Sequence, residues 1–331
     1  MPKSYLDIVK ECDNFPYYST DPTLYTNSMK SYYAFKVSSC PNTLGHVPGS
    51  LVTEFEYPGS PWILNHDAQE LILTSQNNSD KSHSEHLTAL LDSSLKHISN
   101  SSTHPLFTSL QKSWRNESFP ITSPSPSGSI ICTIERSASA IFGLLTTGVQ
   151  LLCFVKSTCP SPSSPSTLKL WVGRRSHSKQ TYPGMLDCTA AGGLESGLQP
   201  LEGIVREAVE EASLPESLVR DSVQCAGALS YYHVKPPLAS LDGVGVGLLQ
   251  PEIEYVYEME LDHGTIPRPG DSEVEEFYLW SVDEVKEALG RGEFKLNSAI
   301  VVVDFLIRHG VVTPENERGY LEIVSRLHRR L

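Results

Sequence analysis

The sequence lacks the cysteine pattern of a disulfide-stapled or zinc-ribbon protein. Its seven cysteines are scattered, their number is odd, and no two form a Cys-x-x-Cys pair. Disulfide frameworks and structural zinc sites depend on such pairing. We therefore expect a protein of a reducing compartment, the cytoplasm.

The sequence also lacks long hydrophobic runs and an excess of basic residues. No window of about 18 apolar residues occurs, so no membrane span is predicted. The N-terminus mixes both charges with Pro and Tyr, unlike a secretory signal. The net charge is −13, which disfavours a nucleic-acid-binding surface. We expect a small-molecule partner and neither nucleic acid nor membrane, while the oligomeric state stays open.

The chain length and one Pro- and Ser-rich stretch predict two domains. A chain of 331 residues exceeds the usual size of one domain. The stretch "TSPSPSGS" at 122–129 is too rich in Pro and Ser for a helix or an inner strand, which predicts a linker. It would separate an α+β domain at 1–121 from a second domain at 130–312, and a C-terminal helix at 313–331 would follow.

The predicted second domain alternates strands with helices. "IICTIER", "SAIFGLL" and "VQLLCFVK" are short apolar runs that predict strands, and "LKLWVGRR", "EIEYVYEMEL" and "VEEFYLWS" add three more. "SVDEVKEAL" carries a capping-box pattern. The fold class is therefore α/β, with a mixed sheet between helices.

One predicted helix, from about Pro200 to Ser213, carries more carboxylates than its stability requires. An apolar stripe is formed by Leu201, Ile204, Val205, Ala208, Val209 and Ala212. Glu207, Glu210 and Glu211 share the opposite side, where like charges repel by a few tenths of a kcal/mol per pair. A divalent cation would reverse that penalty, since carboxylates with water and phosphate are the usual ligands of Mg²⁺.

The segment "GGLESGLQPLEGIVREAVEEASL" (192–214) resembles the signature of the Nudix hydrolases. The match rests on Gly192 and on the Arg-Glu-x-x-Glu-Glu core that begins at Arg206. Two positions depart from the signature: Leu198 replaces its first glutamate, and Ser213 replaces a glycine near the helix end. The resemblance implies an α/β/α sandwich and cleavage of a diphosphate that depends on Mg²⁺, or alternatively Mn²⁺.

The resemblance also implies roles for the matching residues. Glu207, Glu210 and Glu211 would bind the metal, and Arg206 would hold a glutamate in place through its fork of donors. Gly192 and Gly193 form a Gly-Gly turn whose open N–H groups would meet the substrate. Leu198 would pack under the loop or would leave the metal one ligand short.

A longer segment, "LWVGRRSHSKQTYPGMLDCTAAGGLESG", resembles a subgroup of thiamine-pyrophosphokinase-related Nudix proteins that carry an extra N-terminal domain. This resemblance implies hydrolysis of thiamine diphosphate, or of its damaged oxo and oxy analogues, to the monophosphates. Arg174, Arg175 and Lys179 would contact the phosphates. A site without a carboxylate or carbonyl partner for the aminopyrimidine would prefer the oxygen-substituted analogues.

Three alternatives stay open. The departure at Leu198 allows a Nudix-fold binding module without turnover. The generic signature allows a Nudix hydrolase of a nucleoside diphosphate derivative. Isopentenyl diphosphate isomerases also resemble "RRSHSKQTYPGMLD", and they would require Cys188 as a catalytic cysteine.

Overall fold

The computed structural model of the protein describes residues 2–75, 82–124, 128–157, 167–235 and 245–331. The helices in these ranges are α1 Tyr5–Cys12, α2 Pro22–Met29, α3 His83–Ser101, α4 Pro105–Ser113, α5 Pro200–Ala212, α6 Glu216–Ser222, α7 Val282–Arg291, α8 Leu296–Arg308 and α9 Tyr320–Leu327. The strands are β1 Tyr32–Val37, β2 Cys40–Pro48, β3 Trp62–Asn65, β4 Glu70–Leu73, β5 Ser118–Thr122, β6 Ile130–Glu135, β7 Thr146–Ser157, β8 Thr167–Arg175, β9 Leu186–Asp187, β10 Ala190–Gly193, β11 Gln224–Val234, β12 Leu249–Glu260 and β13 Val274–Ser281.

The larger sheet has seven strands and is mixed. Its main order is β11-β12-β7-β8-β13, while β10 pairs with β7 and β9 pairs with β8. β12 runs parallel to β7, and the other pairs are antiparallel. The mixed sheet agrees with the α/β prediction.

Both faces of this sheet are covered by helices. Successive strand residues point to opposite faces, so in β7 Val149 and Leu151 pack against α5, whereas Leu152 and Phe154 pack against α8. α1, α7 and α9 lie in the same core as α8. The predicted α/β/α sandwich is therefore confirmed.

The N-terminal region has a separate four-stranded sheet with the order β2-β1-β4-β3. Its core contains Phe35 and Leu71 from the sheet and Leu91 from α3. The predicted α+β unit is present, and no helix in the described ranges is long and apolar enough to cross a membrane.

The hydrophobic cores do not divide at the predicted linker. The stretch 122–129, of which 125–127 lie outside the described residues, connects two antiparallel strands, β5 and β6. Ile134 and Phe142 belong to the N-terminal core, whereas Ile8 and Val9 of α1 belong to the core beneath α8. A Pro- and Ser-rich hairpin loop has the same composition as a linker, which explains the misplaced boundary.

Two further predictions need correction. The run "SAIFGLL" is not a strand, because Arg136–Phe142 forms a 3-10 helix that ends at Gly143 in the left-handed region. The C-terminal helix spans Tyr320–Leu327 and not 313–331, and it packs on the core through Tyr320, Ile323 and Leu327. The capping box of Ser281 and Glu284 is confirmed at the start of α7.

Candidate functional site

The helix α5 places its carboxylates at one edge of the sandwich. Its buried stripe consists of Ile204, Val205, Ala208 and Ala212, whereas Leu201 and Val209 of the predicted stripe are exposed, at 43% and 38%. Pro200 opens the first turn, where no intrahelical N–H is needed. Ser213 ends the helix at φ 52°, the left-handed conformation that usually favours glycine.

Glu211 lies at the end of α5 and is only 8% exposed. Its Oε2 accepts a hydrogen bond from the backbone nitrogen of Ala191, at 2.8 Å. Burial, with smaller contributions from Asp187 and Glu207, raises the pKa of Glu211 to about 8. A cation beside Glu211 would add to the hydrogen bond from Ala191 in stabilising the ionised carboxylate.

Glu207 lies one turn earlier, directly against Gly192. A Cβ added to Gly192 would come within 2.2 Å of Glu207 Oε1, so any side chain here would displace this carboxylate. Burial raises the pKa of Glu207, while Arg206 opposes the shift and the charge of Glu210 adds to it. Glycine is thus required here by close approach and not by a turn: Gly192 and Gly193 lie in β10, paired with β7, which corrects the predicted Gly-Gly turn.

Arg206 holds Glu207 as the family resemblance implies, and it holds a second carboxylate as well. Its Nη1 donates to Glu195 Oε1 at 2.7 Å, and its Nη2 donates to Glu207 Oε1 at 3.2 Å. The guanidinium therefore fixes the loop before α5 and the helix at the same time.

Glu210 is exposed and Leu198 is packed. The side chain of Leu198 lies against the core beneath α5, which favours the packing alternative. Among the residues that the structure describes, no group of three or more His, Cys, Asp or Glu side chains lies close enough to hold a metal ion. The chemistry of the buried pair Glu207 and Glu211 nevertheless fits a hard cation whose remaining ligands are water and phosphate.

A cavity of about 590 Å³ lies beside these glutamates, between the N-terminal unit and the large sheet. Glu211, Gly192 and Gly193 contribute to its wall, and so do Arg115 and Arg136 from the N-terminal unit. A Cβ on Gly193 would come within 2.5 Å of Phe119 Cζ, so the N-terminal unit packs directly on β10. No sequence pattern indicates this contribution, because it depends on the tertiary contact.

The three predicted phosphate-binding residues already have partners within the protein. Arg175 Nη1 donates to Asp187 Oδ2 at 2.7 Å, and Lys179 pairs with Glu273. Both residues line the cavity. Arg174 instead donates to Tyr278 Oη and to the carbonyl of Gly184, at 2.9 and 2.8 Å.

Arg175 forms a buried ion pair with Asp187 in the core of the protein. Although burial opposes the shift, the charges of Lys295 and Arg175 lower the pKa of Asp187 to about 2, so this ion pair persists in the core. Removing one partner of such a pair leaves a buried charge and costs about 3–5 kcal/mol.

Sequence reasoning missed the carboxylates on the opposite wall of the cavity, Glu252 and Glu254 of β12. They are two residues apart on a strand and therefore share a face. The available signal was the alternation of glutamates along β12, which also carries Glu258 and Glu260. Cys188 is 2% exposed, and burial raises the pKa of its thiol well above the ordinary value, which argues against a catalytic thiolate.

Comparisons with known proteins find similarity to the Nudix family. Residues 164–298 match the NUDIX domain family. The chain is 39% identical over 222 residues to the uncharacterized protein YJR142W of Saccharomyces cerevisiae. The aligned segment covers 66% of this chain and 62% of that protein. It is 34% identical over 217 residues to Nudix hydrolase 20, chloroplastic, of Arabidopsis thaliana, covering 65% of this chain and 53% of the relative.

The aligned segments span between half and two thirds of the length of these relatives. Among solved structures, DR0079 from Deinococcus radiodurans is similar with a TM-score of 0.40 and 19% identity, over 57% of this chain and 99% of that one.

Proposed function

We propose that this protein is a divalent-metal-dependent diphosphatase. Its substrate would be thiamine diphosphate or an oxo or oxy analogue, cleaved between the two phosphorus atoms to a monophosphate and inorganic phosphate. The observation that carries the diphosphatase is the placement of Glu207 and Glu211 against β10, where Glu211 and Gly192 line the cavity. The thiamine specificity rests on the subgroup resemblance.

Glu207 and Glu211 would hold the ion, with Glu210 at the solvent side of the pair. Mg²⁺ or Mn²⁺ supplies the polarisation of the phosphoryl oxygen and the activation of water. Arg206 acts as a positioning residue, because its two nitrogens fix Glu207 and the loop at Glu195. Gly192 leaves the space that the Glu207 carboxylate occupies.

Cationic side chains at the same end of the cavity support binding of phosphate. Arg136 pairs with Glu117 at 2.5 Å and lies over the Phe119 ring, while Lys179 pairs with Glu273. Each of these cations has one carboxylate partner and further donors that a phosphate oxygen can accept from. The N-terminal unit would thus complete the substrate site.

The test is a substrate panel under identical Mg²⁺. Thiamine diphosphate, its oxygen-substituted analogues, ADP-ribose, NADH and a dNTP are incubated with the purified protein, and the products are identified by chromatography. We expect thiamine-type diphosphates to give the monophosphate and phosphate with the highest kcat/KM. A preference of about a hundredfold for any nucleotide, roughly 2.7 kcal/mol, would refute the thiamine assignment, and no turnover of any diphosphate would favour the binding module.

A further inference from the structure

The cavity has an acidic wall opposite the α5 glutamates. We define it by Glu252 and Glu254 of β12 and Gln150 of β7, all of which line the cavity. Glu254 faces Gly148 across the parallel β12–β7 pair. A Cβ at Gly148 would come within 2.4 Å of Glu254 Oε2, so this side of the carboxylate depends on a position without a side chain.

The hydrogen bonds of the acidic wall are incomplete. Glu254 Oε1 accepts from Asn297 Nδ2 at 2.8 Å and lies 3.3 Å from Tyr231 Oη, whose single proton is donated to Glu252 Oε2. The Gln150 amide lies beside Glu254 and opposes the rise that burial causes in the pKa of that carboxyl. Among the described residues, however, no donor reaches Glu254 Oε2 or Gln150 Oε1 with hydrogen-bond geometry, and the two residues are 5% and 2% exposed. A buried acceptor without a donor costs about 1–3 kcal/mol, and native proteins leave few of them.

The neighbouring Glu252 differs in this respect. Its Oε1 accepts from Thr146 Oγ1 at 3.1 Å, and its Oε2 accepts from Tyr231 Oη. Glu252 and Glu254 therefore have the same charge, strand and face, but only Glu254 has an oxygen left for a ligand.

We propose that Glu254 Oε2 and Gln150 Oε1 form a specificity-determining subsite that binds a hydrogen-bond donor in the organic half of the substrate. The proposal rests on the proposed function, because the cavity must hold a diphosphate at its other end. The ligand class is a diphosphate of a heterocycle with an exocyclic amino group, and a cationic heterocycle is favoured by the carboxylates. A carbonyl oxygen in place of the amino group is itself an acceptor. It would face Glu254 Oε2 and Gln150 Oε1, and all three oxygens would lack a donor.

This reverses an expectation from the sequence. A preference for oxygen-substituted analogues required a site without a carboxylate partner for the amino group. The acidic wall supplies such a partner, so the amino compound becomes the better ligand.

The test compares amino and carbonyl members of matched pairs by calorimetric binding without divalent metal. The pairs are thiamine diphosphate against oxythiamine diphosphate, and ADP against IDP. We choose about pH 8.5, because burial and the charge of Glu252 raise the pKa of Glu254 to about 7 and the ionised form is the acceptor. In at least one pair, the amino member should bind the wild-type protein about tenfold more tightly or better.

Glu254→Gln presents an NH₂ group where Oε2 stood, while its remaining oxygen still accepts from Asn297. Its amino-to-carbonyl affinity ratio should fall to about one or invert. Glu252→Gln is the matched control: it removes the same charge but should keep the wild-type ratio. Gln150→Met deletes the second acceptor with little change in volume and should lower the ratio even if Glu254→Gln folds poorly.

The outcomes separate the subsite from the enzyme function. Three results would each overturn the subsite. The first is an amino-to-carbonyl affinity ratio of one for the wild-type protein in both pairs, and the second is no binding of either pair. The third is an affinity ratio in both Glu254→Gln and Gln150→Met that equals the ratio of the wild-type protein. Hydrolysis of thiamine diphosphate together with any of these results leaves the proposed function standing. Amino preference in the nucleotide pair without hydrolysis of thiamine compounds refutes the substrate assignment and retains the subsite.

Discussion

The backbone nitrogen of Ala191 donates a hydrogen bond to Glu211 Oε2 at 2.8 Å, which ties the last turn of α5 to β10. This contact holds a buried carboxylate beside the strand that lines the cavity. The same hydrogen bond joins α5 to β10 at the point where the proposed metal would bind. Changes at Glu211 should therefore affect both stability and turnover.

The first prediction concerns pH and stability without metal. The pKa of Glu211 is raised to about 8 by burial, so its folded form keeps the proton to higher pH than the unfolded chain, where carboxyls ionise near pH 4.3. The associated stability is present below the unfolded pKa and is lost as pH rises through about 8. In EDTA, the free energy of unfolding of the wild type, measured by urea denaturation, should fall between pH 6 and about 8.5. This fall should exceed that of Glu211→Gln by roughly 1–3 kcal/mol.

Equal pH dependence of the two proteins would contradict the buried, protonated Glu211. Because metal binding requires the ionised carboxylate, the stabilisation by Mg²⁺ should increase over the same pH range.

The second prediction concerns Arg206→Lys. A lysine has one nitrogen and cannot reproduce the two bonds to Glu195 and Glu207. We expect kcat to fall by about tenfold or more, while stability changes by less than about 1 kcal/mol, as for half-exposed ion pairs. Arg220→Lys is the control, since Arg220 makes a similar pair of contacts to Glu202 and Glu216 on the exposed surface. Normal kcat in Arg206→Lys would remove its positioning role.

The third prediction concerns the departure from the Nudix signature at Leu198. Its side chain packs against the core beneath α5, so Leu198→Glu should cost a few kcal/mol by burying a charge. The exposed Leu201, changed to Glu, provides a control of the same chemistry. Thermal melts and a Mg²⁺ titration are compared for both variants. An unchanged Tm with a lower Mg²⁺ requirement in Leu198→Glu would show instead that the missing glutamate limits metal binding.

The sequence was informative where local periodicity and packing agree. The spacing of Ile204, Val205, Ala208 and Ala212 predicts α5, because these residues face one core. The run "SAIFGLL" at 139–145 was wrongly predicted as a strand, since a short apolar stretch does not distinguish a strand from a buried 3-10 turn. Its residues pack into the N-terminal core and end at a left-handed Gly143, which periodicity does not reveal.

The candidate site was predictable in part for the same reason. Glu207 and Glu211 come from one helix with a distinctive motif, whereas the acidic wall and Arg136 reach the cavity only through strand pairing and the packing of the N-terminal unit. Arg174 was predicted to contact phosphate from its place on a strand, and in the structure its Nε and Nη1 donate to Tyr278 Oη and to the carbonyl of Gly184.

The most direct test of the account is the Mg²⁺-dependent release of phosphate from thiamine diphosphate by the wild type and by Glu207→Gln and Glu211→Gln. Each variant keeps the size of the side chain but loses a charged oxygen ligand, so kcat should fall about a hundredfold or more. Folding, followed by thermal melts, should persist in both, and Tm without metal should be unchanged or higher for Glu211→Gln. We expect Mg²⁺-dependent turnover in the wild type and a fall of about a hundredfold or more in both variants. Near-normal turnover in both variants would contradict it.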